Sequence, residues 1–138
     1  MQRSGYSQRT LAEKLGLKPG MAAYLLNAPD GYVEALGEAA THADFVLALD
    51  NATALDFIHA FFTDRAALLA SLPRLKAALA PRGMLWLSWP KKAANVPTDV
   101  DETAVREAGL AAGLVDVKVA AVDPVWSGLK FVYRLKDR

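Results

Sequence analysis

Cysteine is absent from the 138 residues, which removes disulfide frameworks, thiol catalysis and thiolate metal sites together. Histidine occurs twice, at His42 and His59. Neither has a partner at the spacing of a zinc motif or of a Ser-His-Asp order, so no metal ligand and no catalytic residue is assigned. No stretch approaches the roughly 20 apolar residues of a membrane span, and Met1 to Ser7 lack the apolar core of a secretion signal. A cytoplasmic location is expected, with no membrane partner. Charge of one sign is missing too: 16 Lys and Arg oppose 15 Asp and Glu, for a net charge of +1, too little to draw the chain onto nucleic acid.

What is present is apolar: 53% hydrophobic against 22% charged residues, the balance of a packed globule. The length suits one domain over residues 1–138, with 1–16 as an N-terminal arm and helix. Residues 7–15 read as that helix, with Thr10 and Glu13 at capping-box spacing and Gly16 at its stop. Ser7 to Leu17 looks like the first helix of a helix-turn-helix. An apolar run follows it where a polar recognition helix would stand, so no nucleic-acid partner is expected.

Met21 to Ala28 is a first strand, Asn27 to Gly31 a loop, Tyr32 to Glu38 a short helix and Ala43 to Leu49 a second buried strand. Leu55 to Phe62 is assigned as a third strand for its β-formers, with a helix from Thr53 as the competing reading. Asp64 caps a helix whose Leu68, Leu72, Leu75 and Leu79 form one stripe, and Pro73 is expected to kink or restart it. Pro81 to Gly83 is a turn before Met84 to Trp89, an apolar strand at the sheet centre. Thr98 is expected to cap a helix over Asp99 to Ala112. Leu114 to Val122 and Leu129 to Leu135 then alternate, with Val115, Val117 and Val119 on one face. Their short connector, Asp123 to Gly128, makes them an antiparallel hairpin. The fold class is therefore α/β: a three-layer, Rossmann-like, mostly parallel sheet ending in that hairpin.

This order of elements, with Leu17-Lys-Pro-Gly-Met21 and Leu79-Ala-Pro-Arg-Gly-Met84 leading into two of the strands, resembles the class I S-adenosylmethionine methyltransferases. Trp89-Pro-Lys-Lys92, Thr98-Asp99, Gly113 to Val119 and Val125 to Lys130 further resemble a bacterial family of unknown function described only as methyltransferase-like. The first resemblance implies a cofactor loop after the first strand and an acid after the second. The loop departs from the pattern: Asn27-Ala28-Pro29-Asp30-Gly31 keeps one glycine, Ala28 carries a Cβ, and Pro29 has no N–H. Asp50 stands about 20 residues further on, where such folds place the acid that holds ribose hydroxyls.

In an open parallel sheet, ligands sit beyond the carboxyl ends of the strands. That edge is expected to gather Asn27, Asp30, Gly31, Asp50, Trp89, Lys91, Lys92, Trp126 and Ser127, with Asp64 and Asp123 nearby. Lys91 and Lys92, set between Trp89 and Trp126, would hold an anion while an indole face packs on the rest of the ligand. The leading expectation is a non-methylating domain that binds a small anion or a protein partner and needs no cofactor. The alternative is a methyltransferase that binds S-adenosylmethionine through Asp50, with Asp30 near the sulfonium. A third reading is an interaction subunit, a homodimer paired along Leu114 to Val122.

Overall fold

The computed structural model describes residues 9–49 and 54–138. Six strands form one sheet in the order β2-β1-β3-β4-β6-β5: β1 (Ala22–Leu26), β2 (Asp44–Val46), β3 (Leu55–Phe61), β4 (Leu79–Pro90), β5 (Leu114–Ala121) and β6 (Trp126–Tyr133). The first four run parallel, and β6 lies antiparallel between β4 and β5. Helices cover both faces. On one, α1 (Leu11–Leu15), α2 (Tyr32–Leu36) and α3 (Glu38–Thr41) pack on Phe57, Phe61 and Trp86. On the other, α4 (Arg65–Ala78) and α5 (Glu102–Ala111) pack on Ile58, Leu85, Leu87 and Phe131. The three-layer α/β architecture with a C-terminal antiparallel hairpin is thus present.

Strand β3 is extended from Leu55 to Phe61, which disposes of the helical reading. Its side chains serve both cores at once, with Ile58 and Ala60 on one face and Phe57 and Phe61 on the other, a division only a period of two can make. Strand β2 is shorter than expected, three residues rather than seven, and only half-buried, because it is the edge strand with a single neighbour.

Helix α4 runs unbroken through Pro73, so the expected restart does not occur. Pro73 lies on the exposed face, where water can satisfy the carbonyl that its missing N–H leaves unpaired. The stripe Leu68, Leu72 and Leu75 is buried as expected, while Leu79 already belongs to β4. The turn at Pro81 to Gly83 is absorbed into β4 as a bulge: Leu55 faces Leu79, yet Phe57 faces Met84. Helix α5 starts three residues later than expected. Asp101 caps it by accepting from Ala104 N, while the Thr98 hydroxyl donates to the Thr63 carbonyl and accepts from Val100 N. The alternation in β5 is broken by a second bulge between Asp116 and Lys118. Val115 and Val119 therefore do not share a face, and with Lys118 this irregularity blunts the free edge.

Helix α1 has the capping box: Glu13 N donates to Thr10 Oγ1 at 3.1 Å, and Thr10 N donates to Glu13 Oε1 at 2.9 Å. Its last carbonyls are held from the far half of the sheet, with Trp86 Nε1 donating to Leu15 O at 2.7 Å and Lys118 Nζ to Lys14 O at 2.8 Å. Replacing Thr10 by Ala is expected to cost about 1 kcal/mol in urea unfolding. An unchanged midpoint would mean that the cap contributes nothing to α1.

Candidate functional site

Chain order reverses at β1: β2 lies on one side of it and β3 on the other. The crevice outside the carboxyl ends of β1 and β3 is therefore the topological switch point, where open α/β sheets bind ligands. Asn27 follows β1 in the left-handed conformation, φ 58°, one that short amide side chains tolerate. Its Nδ2 donates to the Phe61 carbonyl at 3.1 Å, bridging the two strand ends. Here lies a cavity of about 270 Å³, lined by Asn27, Phe61, Phe62, Thr63, Asp64, Ala67 and Trp126. The Trp126 ring packs edge-on to Phe61, with centroids 5.2 Å apart.

A second cavity, of about 820 Å³, opens beyond β4 and includes Trp89, Lys91 and Lys92 in its wall. The expected pairing of Trp89 with Trp126 around the lysines does not exist. Trp89 is opposite Ser127, and Trp126 opposite Pro90. Neighbours along a strand point to opposite faces, so Trp89 joins the α4/α5 core while Trp126 joins the other. The error arose because β6 begins three residues earlier than expected, at Trp126, which puts Trp126 and Ser127 in the sheet rather than in a connector.

The remaining site candidates disperse. Asp30 is exposed, and Gly31 is the N-cap residue of α2 with φ 85°. Asp123 is used by its own turn, where its Oδ1 accepts from Val125 N and Trp126 N. Asp50 lies outside the described residues. Among those residues no group of three or more His, Asp or Glu side chains has the arrangement of a metal site, and no helix is long and apolar enough to cross a membrane.

Sequence reasoning missed a buried polar chain through the centre of the sheet. His59 Nδ1 lies 2.6 Å from the Tyr32 hydroxyl, and Nε2 lies 2.7 Å from Ser88 Oγ. Either tautomer gives one N–H···O and one O–H···N bond. His59 and Ser88 are 0% exposed and Tyr32 3%. Burial holds His59 down at about pKa 3, hence neutral at pH 7, and pushes the Tyr32 phenol above its ordinary range. The ring also stacks on Phe61, centroids 4.1 Å apart. The available signal was that His59 and Ser88 are polar residues in the middle of otherwise apolar strands, and buried polar groups must find partners. Because Tyr32 is the first residue of α2, this chain ties the helix that follows the Asn27–Gly31 loop to β3 and β4.

No family model matches the chain, and no curated protein matches it in sequence. Solved structures do match in shape. A SAM dependent methyltransferase from Aquifex aeolicus superposes with a TM-score of 0.64 at 18% identity, covering 88% of this chain and 86% of that one. Magnesium protoporphyrin IX methyltransferase from Synechocystis, solved with bound SAH, gives 0.57 at 12% identity over 90% and 78%. The Aeropyrum pernix fibrillarin, solved with S-adenosyl-L-methionine, gives 0.58 at 13% identity over 88% and 73%. The chain is a Rossmann-like α/β domain. More narrowly, it has the fold of the S-adenosylmethionine-dependent methyltransferases.

Proposed function

We propose that this chain is a methyltransferase-type domain that binds S-adenosylmethionine at the switch point between β1 and β3. The observation that carries the reading is the cavity there, walled by Phe61, Phe62 and Trp126 and bordered by Asn27 and Asp64. Aromatic faces attract cations and stack on heterocycles, and a carboxylate favours a positive sulfonium nearby. The bound molecule would supply a methyl group made electrophilic by that sulfonium.

The residues present fit such a ligand in part. A Cβ built on Gly31 meets nothing within 4 Å, so the loop backbone is open to close approach. At about 270 Å³ the cavity is below the roughly 300–1,000 Å³ of small-molecule sites. It therefore suits one end of the molecule, with the loop flanking the rest. Pro29 withholds one backbone donor from the loop. The likeness to methyltransferase-like bacterial proteins, carried by segments such as Trp89–Lys92, belongs to the same reading.

Calorimetric titration of the full chain with S-adenosylmethionine and its demethylated product tests this. Saturable heat is expected, together with at least tenfold weaker binding in Ala67→Phe, which fills the cavity from α4 while leaving the far-ultraviolet circular dichroism unchanged. Absence of binding at millimolar ligand would sink the donor reading and restore the non-methylating one. Binding untouched by Ala67→Phe would move the site elsewhere.

A further inference from the structure

The net charge of +1 conceals a segregation. Residues 19–64, which build β1, α2, α3, β2 and β3, hold seven of the 15 acidic residues and no Lys or Arg, so all 16 basic residues share the remainder with eight acids. The overall balance that argues against a nucleic-acid partner therefore describes neither half of the molecule. What a polyanion meets is the local field.

The excess gathers on the α1 face of β5 and β6. Lys118 and Lys130 are directly opposite one another across the two strands, a like-charge pairing that costs stability. Side chains alternate along a strand, so both point to the side of Ala120, which packs in the α1 core. Lys14 joins them from α1: its Nζ donates to the Ala121 carbonyl at 3.0 Å, while Lys118 Nζ donates to Lys14 O at 2.8 Å. All three lysines are half-buried. Arg9 stands just before α1, its Nη2 donating to Glu13 O at 3.0 Å.

No Asp or Glu shares this face of β5 or β6, since Asp116 turns the other way and pairs with Arg106 of α5 at 3.1 Å. Glu13, the carboxylate on α1, turns back to Thr10 N. The charges acting on Lys118 are all positive: after partial burial, Arg9, Lys130 and Lys14 hold its ammonium below the usual range. None of the three lysines has an ion pair among the described residues. Residues 1–8 contain Arg3 and no Asp or Glu, so they bring no negative side chain to the cluster. Helical cover also stops here. Val115 and Val132 are opposite one another further along the same face and belong to neither core, so the cations border an open surface.

We infer that this face binds the phosphodiester backbone of a nucleic acid. A row of ammonium groups running from β6 over β5 to α1 on an open face matches a linear polyanion, and each lysine keeps N–H donors beyond any it spends on a carbonyl. Trp86, the aromatic neighbour of Lys130, is fully buried. Bases thus find no ring to stack on beside the lysines, and the contact is independent of base sequence. Such binding needs no methyl donor.

Fluorescence anisotropy of the full chain with labelled poly(U), from low to physiological salt, tests this. Three to four phosphate contacts predict that log affinity falls against log salt with a slope of about −2 to −3, at about −0.7 per contact on a single strand. Lys130→Gln should make the slope shallower by about 0.7, and Lys130→Gln with Lys118→Gln by about 1.4, with affinity about tenfold lower or less. Lys130→Glu with Lys118→Glu should abolish binding. Lys91→Gln with Lys92→Gln, the same change of charge beyond β4, should leave it unchanged. Circular dichroism should match the parent throughout; if Lys118→Gln disturbs α1, Lys130→Gln decides alone, because its side chain makes no hydrogen bond or ion pair among the described residues. The proposal fails if poly(U) does not bind, if Lys130→Gln leaves the slope unchanged, or if the Lys91 and Lys92 variant loses as much. It fails equally if poly-L-glutamate binds as tightly, because the face would then fit an acidic protein.

Discussion

Acidifying the protein from pH 6.5 to 4 should lower its folding stability by about 3 kcal/mol through His59 alone. An unfolded histidine takes up a proton near pH 6.5, whereas burial keeps the folded one neutral until about pH 3. The folded pKa lies below the unfolded one, so the unfolded state binds more protons throughout this window, and stability falls by about 1.4 kcal/mol per pH unit as pH drops. The contribution is fully present above pH 6.5 and fully lost below about pH 3. Carboxylates add their own acid dependence, so the measurement is a comparison. Urea unfolding of the parent and of His59→Gln is followed at half-unit steps, since the glutamine amide bonds to hydroxyls without titrating. The two curves should diverge in slope across the window. Parallel slopes would mean that the imidazole is not neutral in the core, and the Tyr32–His59–Ser88 chain would have to be abandoned.

Gly109→Ala should destabilise by about 2 to 3 kcal/mol, although a glycine-to-alanine change inside a helix ordinarily gains about 1 kcal/mol. Gly109 faces β6 from α5, and a Cβ there would lie far inside van der Waals contact with Cε2, Cζ and Cδ2 of the Phe131 ring. Phe131 is 0% exposed and directly opposite Leu85 of β4, so the ring cannot swing aside without repacking the α4/α5 core. Overpacking of this kind typically costs about 1 to 3 kcal/mol, occasionally more, and it outweighs the propensity gain. Phe131→Leu should relieve the clash, so the double variant should be more stable than the sum of the single losses predicts. A stabilised Gly109→Ala protein would show that α5 does not approach the sheet this closely.

The architecture was legible because its signals are periodic and local. The leucines of α4 repeat at helical steps, Met84 to Trp89 is an apolar run interrupted only by Ser88, and the last two strands are too closely spaced to be anything but antiparallel. What escaped depends on parity and on distance. Whether Trp126 sits in a connector or in a strand decides which face it takes, because a one-residue change of register reverses every side chain. The likeness of Trp89 and Trp126 as flanking aromatics vanished for that reason. The bulge after Asp116 separated Val115 from Val119 in the same way. His59, Ser88 and Tyr32 come from three elements, and no spacing along the chain announces that they meet. The candidate site was legible in coarser terms: Lys91 and Lys92 stand at a strand end and Asn27 at the loop, but the division into two cavities required the fold.

The two bonds that pin α1 reach across 71 and 104 residues of chain. A five-residue helix does not persist by itself in water, since nucleation costs more than so few bonds return. During synthesis α1 emerges well before its anchors at Trp86 and Lys118. Helix α1 is thus secured only after β4 and β5 have been made, and until then Phe57 and Trp86 lack part of their cover. A nascent chain stalled before Lys118 should accordingly be more adhesive to chaperones than its finished counterpart.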